Sequence, residues 1–172
     1  MKYNKIALIG MMGCGKSTVA KVLSEKLKIN LFESDNIFEE KFSIKIKDYF
    51  SLFGENKFRI EETKILEEIL KNDNFVLSTG GGIILSEKNR ELLFSEDILS
   101  IYLKTSADEI YNRIKKDKTR PLLLVENPKE EIVKILNSRK DFYSMAKFEI
   151  LTDNKTINEI TDEIVEKINE NN

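Results

Sequence analysis

The stretch Gly10-Met11-Met12-Gly13-Cys14-Gly15-Lys16-Ser17 constrains this chain more than any other. It fits G-x-x-x-x-G-K-[ST], a loop whose backbone N–H groups cradle nucleotide phosphates. Such a loop works only between a strand and a helix, and its neighbours meet that demand. Ile6-Ala7-Leu8-Ile9 is a short apolar run, as a buried parallel strand requires. Val19, Val22, Leu23 and Leu27 then recur at helical spacing. The glycines let the backbone turn tightly around phosphates, and the opening helix adds the positive end of its dipole. Lys16 brings a point charge to the β and γ phosphates, and Ser17 offers an oxygen to Mg²⁺.

The rest of the chain alternates strands and helices. Leu31-Phe32-Glu33-Ser34 reads as a second short strand, followed at once by Asp35. Ile44, Ile46, Tyr49, Phe50 and Phe53 pattern a short aromatic helix over Ser43–Phe53, which Gly54 breaks. Phe58, Ile65, Leu66 and Ile69 share one face of a longer helix from about Glu55 to Lys71. Two helical segments before the next strand read as an insertion, a natural acceptor-binding lobe. Phe75-Val76-Leu77-Ser78 is the third strand and runs into Thr79-Gly80-Gly81-Gly82. Ser86 caps a helix through Phe94, Ile98–Leu103 is the fourth strand, and Ser106 to Lys115 is helical. The polar run Lys115–Pro121 reads as irregular. Asn127-Pro128 opens a helix to about Lys147, with Asn127 as its N-cap. Phe148–Leu151 is a fifth strand, and Ile157, Ile160, Ile164 and Ile168 stripe a terminal helix.

This alternation predicts an α/β domain, a five-stranded parallel sheet with helices on both faces. Ligands gather at the carboxyl ends of such strands. The phosphate loop, Asp35 and the glycine triplet all fall there, which places one site.

Composition closes off other classes. With 172 residues, one domain with a substantial core is expected. A net charge of −2 gives no electrostatic drive toward nucleic acid or a membrane surface. The N-terminal apolar run is too short for a signal peptide, and no segment is long enough to span a bilayer. There is no histidine, so a general base must be a carboxylate, a lysine or a similar group. The one cysteine, Cys14, allows no intrachain disulfide and fits a reducing cytoplasm. Inside the loop it reads as a small filler residue.

Asp35 has two readings. It either caps the helix after strand two or accepts a hydrogen bond from an acceptor hydroxyl and takes its proton. Glu33 either faces solvent or helps order the water shell of a metal. Gly80, Gly81 and Gly82 either make a flexible turn or bring backbone N–H groups close to a small ligand. Arg59 stands at helical spacing from Glu62, as a surface ion pair would. Arg139 lies on the stripe Ile132, Ile135, Leu136, Tyr143, where a guanidinium seeks an anion or snorkels outward. Arg120 is either a solvated loop cation or an arginine finger supplied in cis.

Taken in order, these motifs resemble the shikimate kinase family over nearly the whole chain. The matching pieces are Gly10–Thr18, Ser34-Asp35, Gly54-Glu55 with Phe58-Arg59, Thr79–Gly82, Arg120-Pro121-Leu122-Leu123, and Arg139 four residues before Tyr143. The resemblance implies transfer of the γ-phosphoryl group of ATP to the 3-hydroxyl of shikimate, with one Mg²⁺, in a cytoplasmic monomer. It implies ATP contacts from Gly13, Cys14, Gly15, Lys16, Ser17, Thr18, Arg113 and Arg120, with the Thr152–Thr156 loop closing the base site. It implies shikimate contacts from Asp35, Phe50, Phe58, Arg59, Gly80, Gly81, Gly82 and Arg139, and catalysis by Lys16, Asp35 and Arg120. Mg²⁺ would meet Ser17 directly and Glu33 and Asp35 through water. The acceptor lobe would span 36–71 and a lid 114–126. Three positions depart from the family pattern. Glu33 and Phe38 replace its usual aspartate and isoleucine, and Lys155 or Thr156 stands where arginine is common. Two other readings are a P-loop kinase for gluconate or a nucleoside monophosphate, and a nucleotide-binding module without catalysis.

Overall fold

Alternate residues of each inner strand are apolar on both faces, so the strands can pair only where helices cover them on either side. The computed structural model, which describes residues 4–115 and 125–170, has that arrangement. Strands Lys5–Ile9 (β1), Asn30–Glu33 (β2), Phe75–Ser78 (β3), Ile98–Lys104 (β4) and Phe148–Leu151 (β5) form one parallel sheet in the order β2-β3-β1-β4-β5. The helices are Lys16–Leu27 (α1), Ser34–Phe42 (α2), Ile46–Leu70 (α3), Glu87–Leu93 (α4), Ala107–Ile114 (α5), Pro128–Tyr143 (α6) and Ile157–Glu170 (α7).

The two sheet faces make two cores. Ala7, Ile9, Phe75, Leu77 and Tyr102 pack with Ile65, Leu66 and Ile69 of α3 and Tyr143 of α6. Ile6, Leu8, Val76, Leu103 and Ile150 pack with Val19 and Leu23 of α1 and with Ile160, Ile164 and Ile168 of α7. Each fully buried side chain of this size contributes roughly 1.5–3 kcal/mol. Strand β1 lies at the centre, and the chain leaves it toward both sheet edges. Its carboxyl end is therefore the crevice in which α/β sheets bind ligands.

Most expected boundaries hold within a residue or two, and the differences have local causes. The second strand stops at Glu33, because Ser34 already begins α2. The aromatic helix starts at Ile46 rather than Ser43, since Ser43 takes a left-handed turn (φ 51°) that closes α2. Gly54 breaks α3 as expected, with φ 79° and ψ 163°. Ser86 and Ser106 cap α4 and α5 through their hydroxyls. Asn127 occupies the N-cap of α6 with Pro128 next, but its side chain makes no capping bond. Helix α6 ends at Tyr143 instead of near Lys147. The chain must turn there to enter β5, and the amides of Met145 and Ala146 fold back onto Phe142 and Tyr143. A 3-10 turn at Ile83–Leu85 follows the glycine triplet and was not expected.

The Gly54 backbone lies in a region that only glycine adopts without strain. A Cβ there would meet nothing within 4 Å, so the cost of Gly54→Ala is purely conformational. We expect a loss of about 1–3 kcal/mol, which lowers Tm by about 2–4 °C per kcal/mol in a chain of this size. Thermal unfolding checks this. A higher Tm would mean that α3 straightens and that the break is dispensable.

Candidate active site

The phosphate loop folds as its glycines demand. Gly13 and Gly15 take φ of 82° and 99°, and Gly15 opens α1. Lys16 is buried at 7% exposure, and its Nζ donates to the carbonyls of Gly10 at 2.7 Å and Met11 at 2.9 Å. Its charge thus lies on the floor of the loop. Gly13, Gly15, Lys16, Ser17 and Thr18 line a cavity of about 320 Å³. Cys14 is buried under the loop, and its carbonyl accepts from Arg113 at 3.0 Å. Arg113 also donates to the Thr152 carbonyl at 3.1 Å and to Glu109 at 2.8 Å. It lines the same cavity and ties the phosphate loop to the Thr152 loop. Arg120 lies outside the described residues.

Asp35 is not a helix cap. Glu33 holds the N-cap of α2, and Asp35 sits in the first turn. Its side chain reaches solvent in the cleft, but protein stands around it on most sides. That loss of bulk water raises its pKa, and the charge of Lys16 opposes the rise. Glu33 turns its carboxylate to the Asn36 amide at 2.9 Å and is not among the residues lining the loop cavity.

A second cavity, of about 220 Å³, adjoins the first. The two share Met12, Asp35 and Gly81. Phe50, Phe58, Arg59, Gly80, Gly82 and Arg139 also line the second, so the expected acceptor residues come together. Arg59 lies over Phe58 and bonds Glu62 at 2.8 Å and Glu55 at 3.0 Å, so the helical ion pair is real, and its guanidinium still reaches the cavity. A Cβ on Gly82 would stand 2.6 Å from the guanidinium of Arg59, so the tip of that side chain would have to move aside. Arg139 donates to the Gly81 carbonyl at 2.9 Å. No carboxylate pairs with it among the described residues. Tyr143 also donates to that carbonyl, at 3.5 Å, and burial holds its pKa up at about 12.

Two findings lay beyond the sequence reading. Glu62 lines the cavity with one buried oxygen, Oε1, that has no hydrogen-bond partner, and burial raises its pKa. Helical spacing marked it only as a partner of Arg59. The Gly80 amide is not free for a ligand, because it donates to Ser34 Oγ at 2.9 Å.

Chemically, the arrangement sets the phosphate loop beside a small cavity lined by Arg59 and Arg139, with the Asp35 carboxylate shared between the two. Among the described residues no cluster of three carboxylate, cysteine or histidine groups could hold a metal alone. Ser17 and Asp35 on one cavity instead suit Mg²⁺ held largely by phosphates and water.

Known proteins resemble the chain throughout. The family model for shikimate kinase matches residues 12–169. A shikimate kinase of Caldicellulosiruptor bescii is 41% identical over 148 residues, 86% of each chain. One of Actinobacillus pleuropneumoniae is 39% identical over 164 residues, 95% of this chain and 94% of its own. The solved structure of shikimate kinase from Acinetobacter baumannii in complex with shikimate matches with a TM-score of 0.92 and 35% identity, covering 98% of this chain and 94% of that one. Sequence likeness and backbone likeness both cover most of the chain, and the chain belongs to the shikimate kinase family.

Proposed function

We propose that this ATP-dependent phosphotransferase moves the γ-phosphoryl group of ATP to the 3-hydroxyl of shikimate within the joined cavities. The observation that carries this reading is the junction itself: Asp35 and Gly81 line both the phosphate cradle and the anion pocket. The phosphates of ATP lie in the loop, where Lys16 exchanges its loop carbonyls for β and γ oxygens. Ser17, and Asp35 through water, would hold Mg²⁺, which would supply charge neutralisation on those phosphates. Shikimate offers its carboxylate to Arg59 and Arg139, its ring to Phe50 and Phe58, and its hydroxyls to Asp35. Asp35 orients the attacking hydroxyl and receives its proton as the bond to phosphorus forms and the bond to the leaving ADP oxygen breaks. Arg113 holds the base-side loop against the phosphate loop. Residues 36–71 serve as the acceptor lobe and one Mg²⁺ serves each monomer; the expected lid, 114–126, falls for 116–124 outside the described residues. The cytoplasm is the proposed compartment, in keeping with ATP use and a single buried thiol.

ADP release with Mg²⁺ and ATP tests this, with shikimate, gluconate and nucleoside monophosphates compared side by side. Turnover with shikimate alone is the expected result. Turnover with another acceptor would overturn the pocket assignment.

The two arginines do not share the anion equally. Glu62 and Glu55 already neutralise Arg59, whereas Arg139 meets only neutral groups among its described contacts. Arg139→Ala is therefore expected to raise the shikimate KM roughly 10- to 100-fold, the scale of a lost hydrogen bond to a charged group. The ATP KM stays near wild type. An unchanged shikimate KM would make Arg139 a purely structural tie to Gly81.

A further inference from the structure

The site has one joint that holds both of its walls. Strand β3 pairs with β2 as far as Ser78 opposite Glu33. Beyond that point the ladder stops, because Ser34 has already turned into α2. Thr79 finds the Leu8 carbonyl of β1 through both its amide and its hydroxyl. The Gly80 amide is buried and would be left without a strand partner, and Ser34 Oγ accepts its hydrogen bond. On the other side of the same residue, the Gly80 carbonyl accepts from Ile83 and starts the 3-10 turn. Both polar groups of the Gly80 backbone are thus committed inside the protein.

The joint sits where precision matters. Ser34 is 3% exposed and is bonded in the chain to Asp35. Gly80 faces that same aspartate. Asp35 Oδ1 and Glu62 Oε1 lie 2.6 and 3.1 Å from the point where a Cβ on Gly80 would stand. The Ser34–Gly80 hydrogen bond therefore spans 46 residues of sequence to couple the start of α2, which carries Asp35, to the backbone that continues into Gly81 and Gly82.

We propose that Ser34 is a positioning residue for phosphoryl transfer: its hydroxyl pins the Gly80 amide and so sets the spacing between the Asp35 carboxylate and the Gly81–Gly82 backbone across the acceptor cavity. This rests on the reading of Asp35 and the glycine triplet as the acceptor walls. Ser34 touches no substrate in this account. It acts through the groups on either side of it. A small displacement of such groups costs rate steeply, because the reacting atoms must be held close and aligned.

The test compares Ser34→Ala with the pair Ser34→Thr and Ser34→Val, alongside Asp35→Asn. Thr and Val add the same bulk to the buried site and differ in the hydroxyl alone. Ser34→Ala and Ser34→Val are expected to lower kcat/KM for shikimate roughly 10- to 100-fold, while the ATP KM stays within about twofold. Ser34→Thr is expected to recover most of that loss. A merely structural serine would move both KM values together or none, and Thr would do no better than Val. Wild-type kinetics in Ser34→Ala beside a slow Asp35→Asn would overturn the pin and leave the acceptor wall intact. Wild-type kcat in Asp35→Asn would overturn the wall itself, and the pin with it. Amide exchange of the unmodified protein needs no variant to fold. Slow exchange at Gly80 is expected, and exchange as fast as in a free loop would end the proposal.

Discussion

Asp35→Asn is expected to lower kcat about 10²- to 10⁴-fold, the usual contribution of a positioned general base. The amide keeps the shape of the carboxylate and one acceptor oxygen, but it cannot take a proton. ATP affinity should change little, since the role proposed for the group lies at the acceptor. Steady-state kinetics with ATP and shikimate varied separately would show this, and a loss confined to ATP binding would sink the role. Stability supplies a second readout with a definite sign. Burial in the cleft raises the Asp35 pKa in the folded protein. The folded chain then binds that proton more tightly than the unfolded chain does. Stability from this group is therefore lost as pH rises through the window above 3.8, its ordinary value, and the cost persists at neutral pH. Asp35→Asn removes the cost, so the inactive variant should unfold at or above the wild-type temperature at pH 7. A variant that is both slow and clearly less stable would point to damaged packing instead.

Lys16→Met is expected to lower kcat about 10²- to 10³-fold, the scale of removing one donor aimed at charge that develops in the transition state. Methionine keeps the unbranched apolar stem of lysine and lacks its ammonium. The variant also leaves the carbonyls of Gly10 and Met11 without the donor they have now. Some loss of ATP affinity should accompany the loss of rate. The two effects are separable by measuring nucleotide binding directly beside turnover at saturating ATP. Normal turnover in Lys16→Met would mean that the loop amides and Mg²⁺ stabilise the transferring phosphoryl group without the ammonium. The same experiment bears on Asp35, because the Lys16 charge opposes the rise in its pKa. Without that cation the acid limb of the pH profile should move to higher pH.

Much of the fold and part of the site could be read from local sequence. Strands β3 and β5 fall where their apolar runs place them, at Phe75–Ser78 and Phe148–Leu151. Ser86 and Ser106 announce their helices because a hydroxyl at the N-cap satisfies an otherwise orphaned amide. Gly54 breaks α3 because its backbone conformation excludes side chains. In each case the signal and the structure it specifies lie within a few residues of each other.

What local sequence could not supply is equally definite. The order β2-β3-β1-β4-β5 depends on which helix covers which face, and that decides that the ends of β1, β2 and β3 meet. The spacing Arg59–Glu62 correctly indicated an ion pair, but only packing against the glycine triplet turns Glu62 into the wall of a cavity. The helix-cap reading of Asp35 failed because the N-cap of α2 falls two residues earlier, at Glu33. Arg113 reaches the Cys14 carbonyl across 99 residues, and Gly80 reaches Ser34 across 46.

By itself, then, the sequence determined the phosphate loop, the periodicity of strands and helices, and the residue types that make a small-anion kinase site. Those properties follow from dihedral preference and hydrophobic spacing, which act over a turn or two of chain. Only the tertiary structure decided which backbone groups remain free for substrate, because a hydrogen bond such as Ser34 to Gly80 exists only once two strand ends have been brought side by side.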